Sequence, residues 1–318
     1  MPAFATWARN PPVRSEMIPA EDVRLKNREL YDDTSGPVWR LAIYGSVHHG
    51  REFINLGGAR LLDQIGSLAG LDPSKTVVEI GAGRGAVCLY LAERWGCRVI
   101  GVEWNPRQAE SGQALLNRAP KAVADRVRIV NADCLAWRPD EPADILISID
   151  SMMLLPDVPA VLRHCRGMLR DRGLAMIATI AAGEAITSDT RRFAWDMDGM
   201  ASLYGGDEYM ELLEDAGFAA PAVTDMTDLA IEASERIEAA LLAHRTAIVD
   251  LIGEPAFRGW VETGEVYLAA FRRRELRYLL AAAAKESMNV AITDNAEEPL
   301  STYDSSRIEV SDTRYAYF

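Results

Sequence analysis

Apolar positions along this chain follow a helical period at first and a strand period later. Residues 21–31 carry a charged helical pattern, and over residues 53–71 Leu56, Ala59, Leu62, Ile65 and Ala69 recur at helical spacing. Gly70 and Pro73 close that second helix. The texture then changes. Thr76-Val77-Val78-Glu79-Ile80 is a β-branched run halted by Gly81-Ala82-Gly83-Arg84-Gly85, and residues 86–95 return to a helical pattern. The same order recurs in weaker form: a strand over 98–103, a helix over 106–117 with Pro106 at its start, and strands over 127–130, 143–149 and 173–180. These strands are too apolar for a sheet with one wet face. Parallel strands need crossovers of helix length, so the pattern predicts an α/β fold with a doubly wound, mostly parallel sheet.

Beyond residue 180 the alternation fades. A helix is expected over 209–217, a sixth strand over 222–226, and helices over 229–277 with breaks at Gly253-Glu254-Pro255 and at Gly264. Residues 279–284 form an apolar segment of strand length, although their alanines favour helix. Pro2, Pro11, Pro12 and Pro19 make the first residues read as an extended arm, and residues 289–318 are polar and lack glycine.

Composition narrows the function classes. The 318 residues are 49 % hydrophobic and 25 % charged, which suits a folded domain with a sizeable core. A formal charge of −13 repels phosphate backbones and anionic lipid surfaces, so neither nucleic acid nor membrane is expected as a partner. Cys88, Cys97, Cys134 and Cys165 form no Cys-x-x-Cys pair, and they fit a reducing, cytoplasmic setting. Arg9, Asn10, Pro11, Pro12 and Arg14 occupy the place where a signal peptide needs its apolar stretch. No His or Cys spacing suits a metal.

The glycine turn carries the first chemical signal. Gly-x-Gly-x-Gly after the first parallel strand lets backbone approach a ligand, at the crevice where such sheets bind nucleotides. A dinucleotide site normally spaces its glycines as Gly-x-Gly-x-x-Gly and faces pyrophosphate. Here Glu79 precedes the turn, and its carboxylate suits a ligand with an ammonium group better. Glu103 ends the second strand where a ribose-binding carboxylate belongs, and Asp133, in Asn131-Ala132-Asp133-Cys134, is placed to accept from an adenine amine. Ammonium, ribose and adenine together describe S-adenosylmethionine.

In Glu79-Ile80-Gly81-Ala82-Gly83-Arg84-Gly85, Gly101-Val102-Glu103 and Asn131-Ala132-Asp133 the chain resembles the class I S-adenosylmethionine-dependent methyltransferases. Further likeness, to the small-metabolite branch with sarcosine, dimethylglycine, tocopherol and ubiquinone-type enzymes, lies in Tyr31-Asp32-Asp33-Thr34-Ser35, Trp39, Tyr44-Gly45 and His48-His49-Gly50, in residues 207–218, and in residues 241–285. The resemblance implies a seven-stranded Rossmann-like sheet, an N-terminal helical cap and a helical insert before the last strand. It divides the chain into an arm and cap (1–70), a cofactor-binding core (71–228), a helical lid (229–278) and a last strand with a C-terminal arm (279–318). It also implies S-adenosyl-L-methionine as cofactor, with S-adenosyl-L-homocysteine as product, held by Glu79, Gly81, Ala82, Gly83, Gly85, Glu103, Trp104, Asp133, Cys134 and Ile149. Catalytic duty falls by the same resemblance on Asp150, Tyr31 and His49, and the partner is a small-molecule methyl acceptor. A homodimer is a further expectation. Sarcosine-type enzymes usually carry Gln-Asp-Ala and a nearby His after the fourth strand; Ile149-Asp150-Ser151-Met152-Met153 keeps only the Asp.

Methyl transfer asks mainly for positioning and exclusion of water. An ammonium acceptor must first lose a proton, whereas a thioether sulfur need not. Asp150 reads either as the group that orients or deprotonates an acceptor or as a helix cap; His164 and His244 read as packing residues. An amino-acid-like acceptor would want an arginine for its carboxylate, with Arg191, Arg192, Arg274 and Arg277 as the choices. Trp195 and Tyr204, with Tyr31 and Trp39, are aromatics that could wall a sulfonium. The expected reaction is transfer to a small amino-acid-like metabolite at nitrogen or thioether sulfur. The alternatives are carbon methylation of a prenyl or quinone-like molecule, favoured by an apolar pocket, and a protein that binds the cofactor without transferring its methyl.

Overall fold

A computed structural model describes residues 18–31, 53 and 55–286 of the chain. Helix α1 (Ala20–Tyr31) leads to α2 (Gly58–Leu68), after which strand and helix alternate: β1 (Thr76–Ile80), α3 (Ala86–Trp95), β2 (Arg98–Glu103), α4 (Pro106–Arg118), a short α5 (Lys121–Ala124), β3 (Val127–Asn131) and β4 (Ala143–Ile149). Then come a 3₁₀ turn (Met152–Leu154), α6 (Val158–Arg166), β5 (Leu169–Ala182), α7 (Ser188–Asp198), α8 (Gly206–Asp215) and β6 (Ala219–Asp225). Three helices, α9 (Thr227–Ala243), α10 (Arg245–Ile252) and α11 (Glu254–Arg272), separate β6 from β7 (Leu276–Ala284).

The strands form one seven-stranded sheet in the order β3-β2-β1-β4-β5-β7-β6. All neighbours pair in parallel except β7, which runs antiparallel to both β5 and β6. The expected doubly wound, mostly parallel sheet is therefore present. Strand alternation feeds two cores. Val77, Val99 and Ile145 point to a cluster shared with Leu61, Ile65 and Leu91 of α2 and α3, while Val78, Leu146 and Ile177 meet Val161, Leu162 and Leu213 of α6 and α8. Every residue of β4 is buried, as its unbroken apolar run required.

The helix expected over 209–217 and the strand over 222–226 each begin three residues earlier, at Gly206 and Ala219, and three further differences have a physical reason. β5 begins four residues earlier than residue 173: the strand takes in Arg170-Asp171-Arg172, where its register against β4 shifts and Arg172 adopts φ +65°. β7 starts at Leu276 and keeps its alanines extended, since pairing on both edges outweighs their helical preference. The expected break at Gly264 is absent: α11 runs through it, and a Cβ built there would meet nothing within 4 Å. That glycine marks space beside the helix, not an interruption.

Candidate active site

The first strand ends in a turn that only glycine fits. Gly81, Gly83 and Gly85 take φ of +74°, +51° and +75°. Beneath Gly81 the Ser151 hydroxyl donates to the Ile80 carbonyl at 2.8 Å, tying the tip of β4 to that of β1. A Cβ on Gly81 would stand 2.4 Å from Ser151 Cβ. Gly83 differs, since a Cβ there would reach open space, so its backbone faces the cavity uncovered. Gly85 is not among the residues lining the main cavity. It precedes α3 at φ +75°, and a Cβ there would meet Ile129 at 3.0 Å.

Glu103, at the end of β2, braces this turn. Its Oε2 accepts from the Gly83 N–H and its Oε1 from the Asn105 N–H, both at 2.8 Å. Burial pushes the carboxyl above its ordinary value, and these N–H groups pull it back. Glu79 lies deeper. The Cys88 thiol donates to its Oε2 at 2.8 Å, and burial, with the nearby Glu103 charge, pushes its carboxyl up to about 8. Both carboxyl groups line a cavity of about 320 Å³, together with Gly81, Ala82, Gly83, Trp104 and Ile149.

The cavity continues past these tips into a chamber of different character. Its walls are Phe53 and Leu56, then Met153 of the 3₁₀ turn, Ile180 of β5 and Met200 after α7, and Ile237, Leu241, Val261, Tyr267 and Phe271 from α9 and α11. Asp150 stands where the two halves meet. It is a non-glycine residue at φ +49°, a conformation costing roughly 1 kcal/mol, held by its N–H bond to the Ala178 carbonyl at 2.9 Å. Its Oδ2 accepts from the Leu56 N–H at 3.0 Å. Its Oδ1 is buried without a well-formed hydrogen bond, and the Tyr278 hydroxyl, itself in no well-formed bond, acts on the same carboxyl. Burial pushes the Asp150 carboxyl up to about 6, against the opposing pull of Leu56 and Tyr278.

Helix α1 closes one side. Tyr31 lines the cavity, donates from its hydroxyl to the Asp198 carbonyl at 3.3 Å and accepts at its own carbonyl from Gln108 Nε2 at 2.7 Å. Asn27 donates to the Leu154 carbonyl at 3.2 Å, leaving its Oδ1 buried without a partner. Arg28 stacks over Trp104 at 5.7 Å.

The other expected residues are divided. Asp133 and Cys134 line a smaller adjoining cavity of about 70 Å³ that shares Asn27, Gly81 and Trp104 with the main one. Asp133 pairs there with Arg24 of α1 and accepts from the Leu135 N–H at 2.9 Å. His49, His48 and Trp39 lie outside the described residues. The arginines are engaged elsewhere: Arg191 with the Leu203 carbonyl, Arg192 with Asp189, Arg274 with Asp228, and Arg277 with Glu184 and Asp225. Neither Trp195 nor Tyr204 lines the main cavity. His164 bonds the Trp137 carbonyl at 2.9 Å, as a packing residue does. Among the described residues no cluster of His, Cys, Asp or Glu is arranged for a metal ion, and no helix is long and apolar enough to cross a membrane. Sequence reasoning missed Asn27, Asn55, Glu238, Gly264 and Tyr278; only the misplaced glycine in a helical run carried any signal.

Comparison with known proteins agrees with this architecture. The profile of a family described as "Methyltransferase domain" matches residues 48–222. A phosphoethanolamine N-methyltransferase of Triticum aestivum is 24 % identical over 188 residues, 59 % of this chain and 36 % of that protein. A probable chloroplastic tocopherol O-methyltransferase of Oryza sativa subsp. japonica is 32 % identical over 146 residues, 40 % of this chain and 39 % of that protein. The chain thus aligns with little more than a third of these relatives' lengths. Among solved structures, phosphoethanolamine N-methyltransferase 2 of Haemonchus contortus, in complex with phosphomonomethylethanolamine and S-adenosylhomocysteine, superposes with a TM-score of 0.72 at 18 % identity, covering 82 % of this chain and 60 % of that one.

Proposed function

Because the chain belongs to the methyltransferase-domain family, we propose that it transfers the methyl group of S-adenosyl-L-methionine to a small molecule held in the apolar half of the cavity, leaving S-adenosyl-L-homocysteine. The observation that supports this most is the junction of two unlike half-sites: a glycine turn braced by Glu103 on one side, and the strained, half-satisfied Asp150 on the other. The residues fit the cofactor. Gly83 presents uncovered backbone, the Glu103 carboxylate keeps a lone pair for a ribose hydroxyl beside its N–H partners, and the orphaned Oδ1 of Asn27 offers a further acceptor. Glu79, with Ala82, Trp104 and Ile149, completes the lining of that half.

When bound, the cofactor supplies an electrophilic methyl on sulfur, so the protein's task is to align the acceptor and exclude water. Tyr31 and α1 cover the donor side, and α9 and α11 roof the acceptor side, as the proposed division into cap (1–70), core (71–228) and lid (229–278) requires. Asp150, aimed by Leu56, holds an acceptor proton at Oδ1. Asp133 and Cys134 serve the adenine end in this reading, which requires Asp133 to exchange its Arg24 partner for an adenine amine. The apolar walls favour a second reading, carbon methylation of a prenyl or quinone-like molecule.

Incubation with methyl-labelled S-adenosylmethionine and a panel of amino acids, sarcosine, methionine and polyprenyl compounds, read by mass, tests the proposal. Label in any product supports methyl transfer. Tight cofactor binding with label in none would favour a protein that uses the cofactor without transferring its methyl.

A further inference from the structure

The acceptor chamber carries more information than its apolarity. Three features coincide. Its walls are aliphatic and aromatic over a wide arc, from Met153 of the 3₁₀ turn and Ile180 of β5 to Leu241 of α9 and Phe271 of α11. Among the described residues around this chamber the charged groups are acidic: Asp150 where the two halves meet, Asp198, and Glu238 of α9. Lastly, one oxygen of Asp150 is buried without a well-formed hydrogen bond, although the other is fixed by the Leu56 N–H. A buried orphan acceptor in an apolar setting costs free energy unless a ligand completes it. The group that completes a carboxylate oxygen is a donor, and the strongest is a positively charged N–H.

We propose that the acceptor is a hydrophobic amine: an apolar body filling the chamber, with a nitrogen whose N–H meets Oδ1 of Asp150, and without the carboxylate or phosphate of an amino-acid-like or phosphorylated acceptor. This deepens the methyl-transfer reading and rests on it. An anionic group carried into the chamber would face Asp150 and Glu238, while the four arginines considered for it are held by Leu203, Asp189, Asp228 and Glu184 outside the cavity. Among the described lining residues the cationic side chain is Arg84, on the glycine turn at the donor end.

The chemistry balances. An incoming ammonium gives one proton to the Asp150 carboxylate and becomes a neutral amine. Its lone pair forms the new N–C bond as the C–S bond breaks, and that electron pair stays on sulfur, which becomes a neutral thioether. The product leaves as an N-methylated ammonium, and Asp150 returns its proton to solvent. Tyr278, whose hydroxyl faces the same carboxyl, is a positioning residue in this scheme.

Three probes of one body separate the possibilities: 2-phenylethylamine, phenylalanine and 2-phenylethanol, each titrated calorimetrically into the full chain saturated with S-adenosylhomocysteine. The amine is expected to bind at least roughly tenfold tighter than the other two, the scale of one charge-assisted hydrogen bond. Asp150→Asn should erase that preference while leaving S-adenosylhomocysteine affinity unchanged, and asparagine tolerates the left-handed backbone at this position. Amine binding no tighter than that of phenylalanine or phenylethanol, including no binding of any of the three, overturns the amine class, as does a preference that survives Asp150→Asn. Failure of S-adenosylhomocysteine itself to bind would instead overturn the methyl-transfer reading beneath it.

Discussion

The two halves of the cavity were built by different kinds of sequence constraint. In the donor half, Gly81, Gly83 and Glu103 sit at the tips of adjacent parallel strands, and backbone geometry dictates each identity. Gly81 has no room for a Cβ over Ser151, and Glu103 spends an oxygen on each of two N–H groups. In the acceptor half, Phe53, Met153, Leu241 and Phe271 come from distant segments and share only apolarity. Contiguous motifs with a conformational reason survive as readable signals; a pocket assembled by packing does not.

If that contrast is correct, substitutions in the two halves separate binding of donor from use of acceptor. The largest effect is expected for Asp150→Asn, which should slow single-turnover methyl transfer by about 100-fold or more, the scale of a lost proton acceptor, with cofactor affinity intact. Unaltered turnover would remove Asp150 from the acceptor side. Glu103→Ala does the reverse, weakening cofactor binding by roughly 1–3 kcal/mol in calorimetry. Retained affinity would leave Glu103 as a brace for the turn alone. Gly264→Leu should fill open space beside α11 and raise the acceptor KM roughly tenfold with the cofactor Kd unchanged; a KM at the parent value would detach that helix from the chamber.

The pH dependence sharpens the same division. The Asp150 carboxyl, pushed up to about 6, is ionised above that pH, so under its proposed role turnover should fall as pH drops through about 6. Asn at position 150 should flatten that limb, and a limb persisting in the variant would assign it to another group. The smallest expected effect is on stability. Gly264→Ala should raise thermal stability by up to about 1 kcal/mol, because alanine is the better helix former and its methyl meets no neighbour. Destabilisation on thermal unfolding would mean that the space is not open.

Periodicity alone makes the parallel strands legible, since runs such as Ala143–Ile149 admit no wet face. The antiparallel β7 was harder, because Ala281, Ala282, Ala283 and Ala284 have a local preference that pairing with β5 and β6 overrides. Asp150 could be singled out as chemistry without its cause being visible: the positive φ, the Leu56 bond across 94 positions and the proximity of Tyr278 are tertiary facts. Likewise, Asp133 was legible as a strand-tip acid, but its pairing with Arg24 depends on how α1 folds back across the sheet.

The claim beneath all of this is that the Glu103-braced crevice takes a cationic sulfur nucleoside. Calorimetric titration of the full chain with S-adenosylmethionine, repeated with NAD and with the Glu103→Ala variant, addresses it directly. One equivalent of S-adenosylmethionine bound, displaced by S-adenosylhomocysteine and weakened by the substitution, is the predicted result. No heat with the sulfonium compound, or NAD binding in its place, would contradict it.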